Sequence, residues 1–124
     1  RGQELVDLLN QKVEVHSDLI IWDGDYQIPE NTEVVINATS IGLGDAAARV
    51  PVDASTLTSE MVVADVVFNP PQTQFLSEAA TQGCRTIDGL GMLVNQGVIG
   101  FHVWTEIDAD AAVMREALEE YLEL

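Results

Sequence analysis

The chain has 124 residues, 47% of them apolar, and 21 acidic side chains against five basic ones give a net charge of −16. That length fits one domain with room for a core, and the charge excludes nucleic acid and anionic membranes, which need clustered Lys and Arg. No apolar run approaches the roughly 20 residues that span a bilayer, no secretory leader is expected, and a lone Cys84 excludes a disulfide framework, so the expected setting is cytosolic.

The first element predicted is a helix over Gly2 to Asn10, with Leu5, Leu8 and Leu9 on one face. Val13 to Trp22, rich in Val, Ile and Leu, suits a strand, followed by a turn at Asp23-Gly24-Asp25 and a polar connector over Ile28 to Thr32. Val34-Val-Ile-Asn37 is a short continuous apolar run, the pattern of a strand buried on both faces. Gly42 to Pro51 reads as a loop with a helical turn over Asp45 to Ala48, and Met61 to Val67 as a second buried strand ended by Asn69-Pro70-Pro71.

Thr73 stands where an N-cap is wanted, ahead of Phe75, Leu76, Ala79 and Ala80 at helical spacing, and Gly83 closes that helix. Arg85-Thr-Ile87 is a third short strand. Gly89 to Trp104 is a largely apolar helix, and Asp108 or Asp110 starts the last one. The expected buried stripe of that last helix is Met114, Ala117, Leu118, Tyr121 and Leu122. Alternating strands and helices predict an α/β fold with a mainly parallel sheet flanked by helices. In such sheets ligands sit beyond the carboxyl ends of the strands, here Asn37–Gly42, Asp65–Pro70 and Asp88–Gly91.

Three motifs compete in the stretch INATSIGLG, residues 36–44. Asn37-Ala38-Thr39 satisfies a glycosylation sequon, but such a site needs an exported, accessible loop, and Asn37 ends an apolar strand. Gly42-Leu-Gly44-Asp-Ala-Ala47 is a relaxed dinucleotide fingerprint, with Asp65 about 20 residues on, where a ribose-binding acid would lie. Against it, Pro51 breaks the required helix early and Asp45 would set a negative charge beside a pyrophosphate. The third reading is a strand ending in a turn.

His16 and His102 each lack a second ligand at metal-binding spacing, so no metal is expected. Cys84 reads as a small buried hydrophobe. In Asp88-Gly-Leu-Gly-Met-Leu-Val-Asn-Gln96 the glycines allow close backbone approach at a strand end. Gln96 there puts one amide on an apolar helix, suited to donating to and accepting from hydroxyl groups. A glycine-punctuated helix start with a capped amide explains the same residues without a ligand.

NATSIGL, ADVVFNPPQTQFL and DGLGMLVNQG, followed by Phe101 and Trp104, in this order and with these gaps, resemble the C-terminal half of shikimate dehydrogenases. The resemblance runs from Arg1 to Leu124, and quinate-using sister enzymes share much of it. It implies a Rossmann-like cofactor domain lacking its first strands, with a substrate domain upstream and the site in the cleft between the two. It also implies reduction of 3-dehydroshikimate to shikimate with NADPH, a step of aromatic amino acid biosynthesis. By resemblance Ala38, Thr39 and Ser40 line the cofactor, and Val66 and Phe68 lie near the nicotinamide. Gly89 offers its carbonyl to the carboxamide, Met92 and Leu93 flank the ring, and Gln96 bonds a shikimate hydroxyl.

Two positions depart from the family pattern. Many members have Tyr where Phe68 stands, and Phe68 lacks the hydroxyl that touches substrate. Glu106 replaces the Gly usual after the Trp-Thr pair.

By the same resemblance the catalytic Lys–Asp pair, the Gly-rich phosphate loop and the residues choosing between NADP and NAD all lie before Arg1. Lys12, at the end of the first helix, is no substitute for the catalytic Lys. The 124-residue chain alone is therefore expected to be inactive, with the upstream part of the same chain as its partner and a homodimer left open. In the strand order 3-2-1-4-5-6, strand 13–22 is expected to stand apart from strand 34–39 by three spacings of about 4.8 Å. An NAD-dependent quinate/shikimate enzyme and a non-catalytic module that kept the fold are the alternatives.

Overall fold

Three apolar runs become strands, lying side by side in chain order. The computed structural model describes residues 1–124. Its elements are α1 (Gly2–Lys12), β1 (Val34–Asn37), a 3-10 turn (Ala54–Thr56), β2 (Val62–Asp65), α2 (Gln74–Thr81), β3 (Arg85–Ile87), α3 (Gly89–Thr105) and α4 (Ala111–Leu122). All strand pairs are parallel, with Val34 opposite Val62 and Asn37 opposite Asp65 in the first, and Val62 opposite Arg85 in the second. β2 is the central strand and β1 and β3 are edges. This is the Rossmann-like half-sheet expected from the sequence.

The core forms between β2, α2 and the loops before β2. It consists of Ile28, Val52, Leu57, Met61, Val63, Phe75, Leu76, Ala79 and Cys84. Burying side chains such as Met61, Phe75 and Leu76 stabilises the fold by about 2 kcal/mol each. Alternation along β2 sends Met61, Val63, Asp65 and Val67 toward α2 and leaves Val62, Ala64 and Val66 half-covered on the other face. Thr73 accepts from the Leu76 amide as N-cap of α2, as predicted. Gly83 follows in the left-handed region at φ 82°, the form in which many helices end.

Several local expectations fail. Val13 to Trp22 forms no strand. A strand is held by ladder bonds to a neighbour, and none is alongside: this segment turns back beside α1 through Asn10, whose side chain bonds both the amide and the carbonyl of Ser17. Nor is β1 buried on both faces, since Val34 and Ile36 are exposed where no layer covers them. On α4 nothing is fully buried, and Tyr121 of the expected stripe is 82% exposed. The helical turn over Asp45 to Ala48 is only a series of turns. No helix is long and apolar enough to cross a membrane.

Candidate functional site

Parallel strands in register bring their carboxyl ends to one edge, and the three expected segments meet there. The Val66 amide donates to Asn37 O at 3.1 Å, seating the turn after β1 beside the turn after β2. On the far side α3 begins directly over the end of β2. A Cβ on Gly89 would lie 2.4 Å from Val67 O and 2.6 Å from Val66 O, so only glycine lets the helix start approach the strand end this closely. Asp88 caps that helix by accepting from the Gly91 amide at 3.0 Å. Arg115 of α4 reaches back to the same carboxylate at 3.7 Å and holds Glu119 at 2.8 Å.

Around this edge Ala38, Thr39, Ser40, Met92 and Gln96 are exposed, while Val66, Phe68 and Leu93 are half-buried. The Gln96 side chain is exposed and makes no hydrogen bond within the chain. Thr39 is different: its hydroxyl donates to Asn37 Oδ1 at 2.7 Å and accepts from the Ile41 amide. Its side chain therefore shapes the turn, leaving Ser40 as the hydroxyl with no partner in the chain.

Beneath this edge lies a buried polar network that the motifs did not reveal. Asn37, Asp65 and Thr73 are 4%, 3% and 1% exposed. Asp65 Oδ1 accepts from Asn37 Nδ2 at 3.0 Å and from the Val67 amide at 2.9 Å, and Oδ2 accepts from the Thr73 hydroxyl at 2.8 Å. Every buried side-chain polar atom has a partner, as burial requires. The two readings of INATSIGLG that the sequence already disfavoured are thereby excluded. Asn37 is too enclosed to carry a glycan, and Asp65 is committed inside the protein and is not offered to a ribose. The sequence signal that was available was an Asp closing an apolar strand shortly before a Thr N-cap.

The left-handed backbone of Gly42 and Gly44, φ 103° and 74°, marks them as turn residues. Gly44 N bonds Asn69 O at 3.0 Å, pinning one strand-end loop to the next. Outside the edge, His16 pairs with Asp18 and His102 with Asp108, both exposed at 2.9 Å. Cys84 donates to Thr58 O, and burial pushes its thiol pKa up. Arg49 forks onto Asp25 at 2.6 and 2.8 Å, and that hydrogen-bonded guanidinium holds the Asp25 carboxyl below its ordinary value.

Chemically, the edge offers apolar side chains, free backbone and one free amide. It suits one face of a flat, weakly polar ring together with a hydroxyl-bearing neighbour. Arg49 and Arg115 are both engaged with carboxylates. An apolar cavity of about 460 Å³ opens beside β1, lined by residues such as Leu19, Trp22, Val35 and Ile36, and reaches the edge at Ala38 and Thr39.

Comparison with known proteins agrees with this fold. The family described as Shikimate 5'-dehydrogenase C-terminal domain matches residues 89–119. A shikimate dehydrogenase (NADP(+)) of Archaeoglobus fulgidus is 36% identical over 119 residues, covering 94% of this chain and 43% of that protein. The ligand-free 5-ketofructose reductase of Gluconobacter sp. strain CHM43 superposes with a TM-score of 0.93 at 50% identity, over 97% of this chain and 43% of that one. Shikimate 5-dehydrogenase of Thermus thermophilus, in complex with NADP(H) and shikimate, superposes with a TM-score of 0.66 at 35% identity, over 75% of this chain and 37% of that one. The chain thus spans less than half the length of these relatives. Its strand-end edge, its α/β half-sheet and these matches together make it a member of the shikimate dehydrogenase family, corresponding to the C-terminal part of those proteins.

Proposed function

We propose that this chain is the cofactor-side part of an NADP-dependent dehydrogenase that reduces 3-dehydroshikimate to shikimate. The observation that supports the reading is the meeting of the turns after β1 and β2 with the start of α3, where the Val66 amide donates to Asn37 O and Gly89 lies against the Val67 carbonyl. NADPH supplies a hydride from its nicotinamide when bound. The fit is to the nicotinamide end: Val66, Phe68, Met92 and Leu93 offer apolar surface to a ring and Ala38 offers exposed backbone, while Gly89, buried on the Val67 carbonyl, seats the start of α3 beside them. Gln96 orients the substrate by donating to and accepting from a hydroxyl. The phosphates and the proton-transferring Lys belong upstream of Arg1, as does the choice between NADP and NAD. The 124 residues alone are accordingly inactive. We read the cavity beside β1 as space for strands of that upstream part.

A second reading has a specific observation in its favour. The relative at 50% identity is a 5-ketofructose reductase, and Phe68 lacks the hydroxyl that the shikimate enzymes direct at their substrate. A polyhydroxylated keto sugar then replaces 3-dehydroshikimate, with the same hydride chemistry. Assaying the full-length protein with NADPH against each carbonyl substrate decides between them: turnover of 3-dehydroshikimate alone supports the first, and turnover of 5-ketofructose alone overturns it. In either case Gln96→Ala is expected to weaken substrate binding by about 1–3 kcal/mol, the cost of an unpaired polar group. An unchanged KM and kcat would remove Gln96 from the site.

A further inference from the structure

Asp65 is the only buried carboxylate of the chain, and the functional reading gives it no task. Its three donors come from three different places. Asn37 ends β1, the Val67 amide begins the turn after β2, and Thr73 caps α2. All three are neutral, so the carboxylate is held by hydrogen bonds alone, an arrangement that demands good geometry from every partner.

Each partner passes the constraint outward. Asn37 Oδ1 accepts from both the amide and the hydroxyl of Thr39, at 3.2 and 2.7 Å, and its Nδ2 also donates to Ile41 O at 3.1 Å. That fixes the turn carrying Ala38, Thr39 and Ser40. Val67 carries the constraint to α3, because its carbonyl occupies the space where a Gly89 side chain would stand.

We propose that Asp65 is a positioning residue: it sets the relative heights of the Ala38–Ser40 turn, the Val66–Phe68 turn and the start of α3, and thereby the affinity for the nicotinamide cofactor, without meeting the cofactor itself. The proposal rests on the functional reading above and deepens it. It differs from a purely structural role in one measurable respect. A structural carboxylate sustains stability alone, whereas a positioning one sustains cofactor affinity at temperatures where the protein is fully folded.

The test uses the full-length enzyme, with NADPH affinity measured by fluorescence titration and stability by thermal unfolding. Asp65→Ala is expected to raise the NADPH Kd at least tenfold. Asp65→Asn restores most of that loss, because its carbonyl still accepts from Asn37 and Val67. Val63→Ala, fully buried on the same strand, lowers the melting temperature but leaves the Kd within about twofold, as a packing loss distributed away from the turns should. Should Asp65→Ala fail to fold, Asn37→Ala, which removes the Asp65 donor on β1 together with that side chain's bonds to Thr39 and Ile41, carries the same expectation. A Kd for the Asp65 or Asn37 variant no different from that of Val63→Ala overturns the positioning role. Wild-type enzyme that does not bind NADPH overturns the functional reading itself, a separate result obtained before any variant is made.

Discussion

The middle of the chain and its two ends are built from similar apolar residues, yet they fare differently. Between Ile28 and Val94 lie all of the buried hydrophobic side chains, while α1 and α4 contain no buried residue. Leu5 and Leu8 on α1, Ile21 and Trp22 after it, and Trp104 and Tyr121 near the other end stand largely in solvent. Amphipathic periodicity gives a helix a sticky face but no partner for it. The middle has one in β2 and α2, and α4 half-covers Met114, Leu118 and Leu122 against α3; under the proposed reading, α1 and the apolar side chains still exposed at both ends find theirs in the upstream part of the enzyme.

The largest test of this contrast is a pair of truncations. Met61→Ala, at a fully buried position, is expected to cost about 3 kcal/mol in urea unfolding. Tyr121→Ala, at an exposed one, should change stability by less than about 0.5 kcal/mol in this chain. Equal losses would mean that α4 is as integral to the core as β2.

Gly89→Ala sharpens the junction between the two regions. The added methyl must displace either α3 or the end of β2, and an overpacking cost of about 2–3 kcal/mol is expected by the same measurement. A neutral result would show that the helix start is not tightly seated on the strand.

Glu106 offers a smaller effect of opposite sign. It ends α3 in the left-handed region at φ 58°, its amide bonded to His102 O. An L side chain is disfavoured there by about 1 kcal/mol. Glu106→Gly should therefore stabilise by about 0.5–1 kcal/mol, visible as a raised melting temperature. The Gly usual at this position in the family is thus explained by backbone conformation.

The smallest effect is electrostatic. Asp25 has a pKa below its ordinary 3.8 because Arg49 hydrogen-bonds its carboxylate. Since the folded value is the lower one, the pair contributes stability above pH 3.8 that is lost as pH falls through the depressed value. Arg49→Ala should return the Asp25 carboxyl titration, followed by NMR, to near 3.8. An unmoved midpoint would show that the exposed fork is not populated in solution.

Much of this was legible in the chain itself. The Thr73 cap, the Gly83 stop, the three strands and the two last helices follow from residue types at fixed spacings, because caps, turns and apolar periods act over a few residues. Which segments of the candidate edge come together also followed, since parallel strands must end on one side. What failed was non-local. Val13 to Trp22 has the composition of a strand, but a ladder requires a neighbour that local sequence cannot supply. The buried role of Asp65 went unread, because its partners are Asn37 on the neighbouring strand and Thr73 at the start of α2, brought together only by the packing.

The sequence by itself determined the three parallel strands, the four helices and the family, since these rest on local conformational preference and on motifs with little freedom of spacing. Only the tertiary structure decided which apolar faces are buried, which polar side chains are free to meet a ligand, and which are spent on holding the site. Those depend on what lies across a few ångströms of space from residues far apart along the chain.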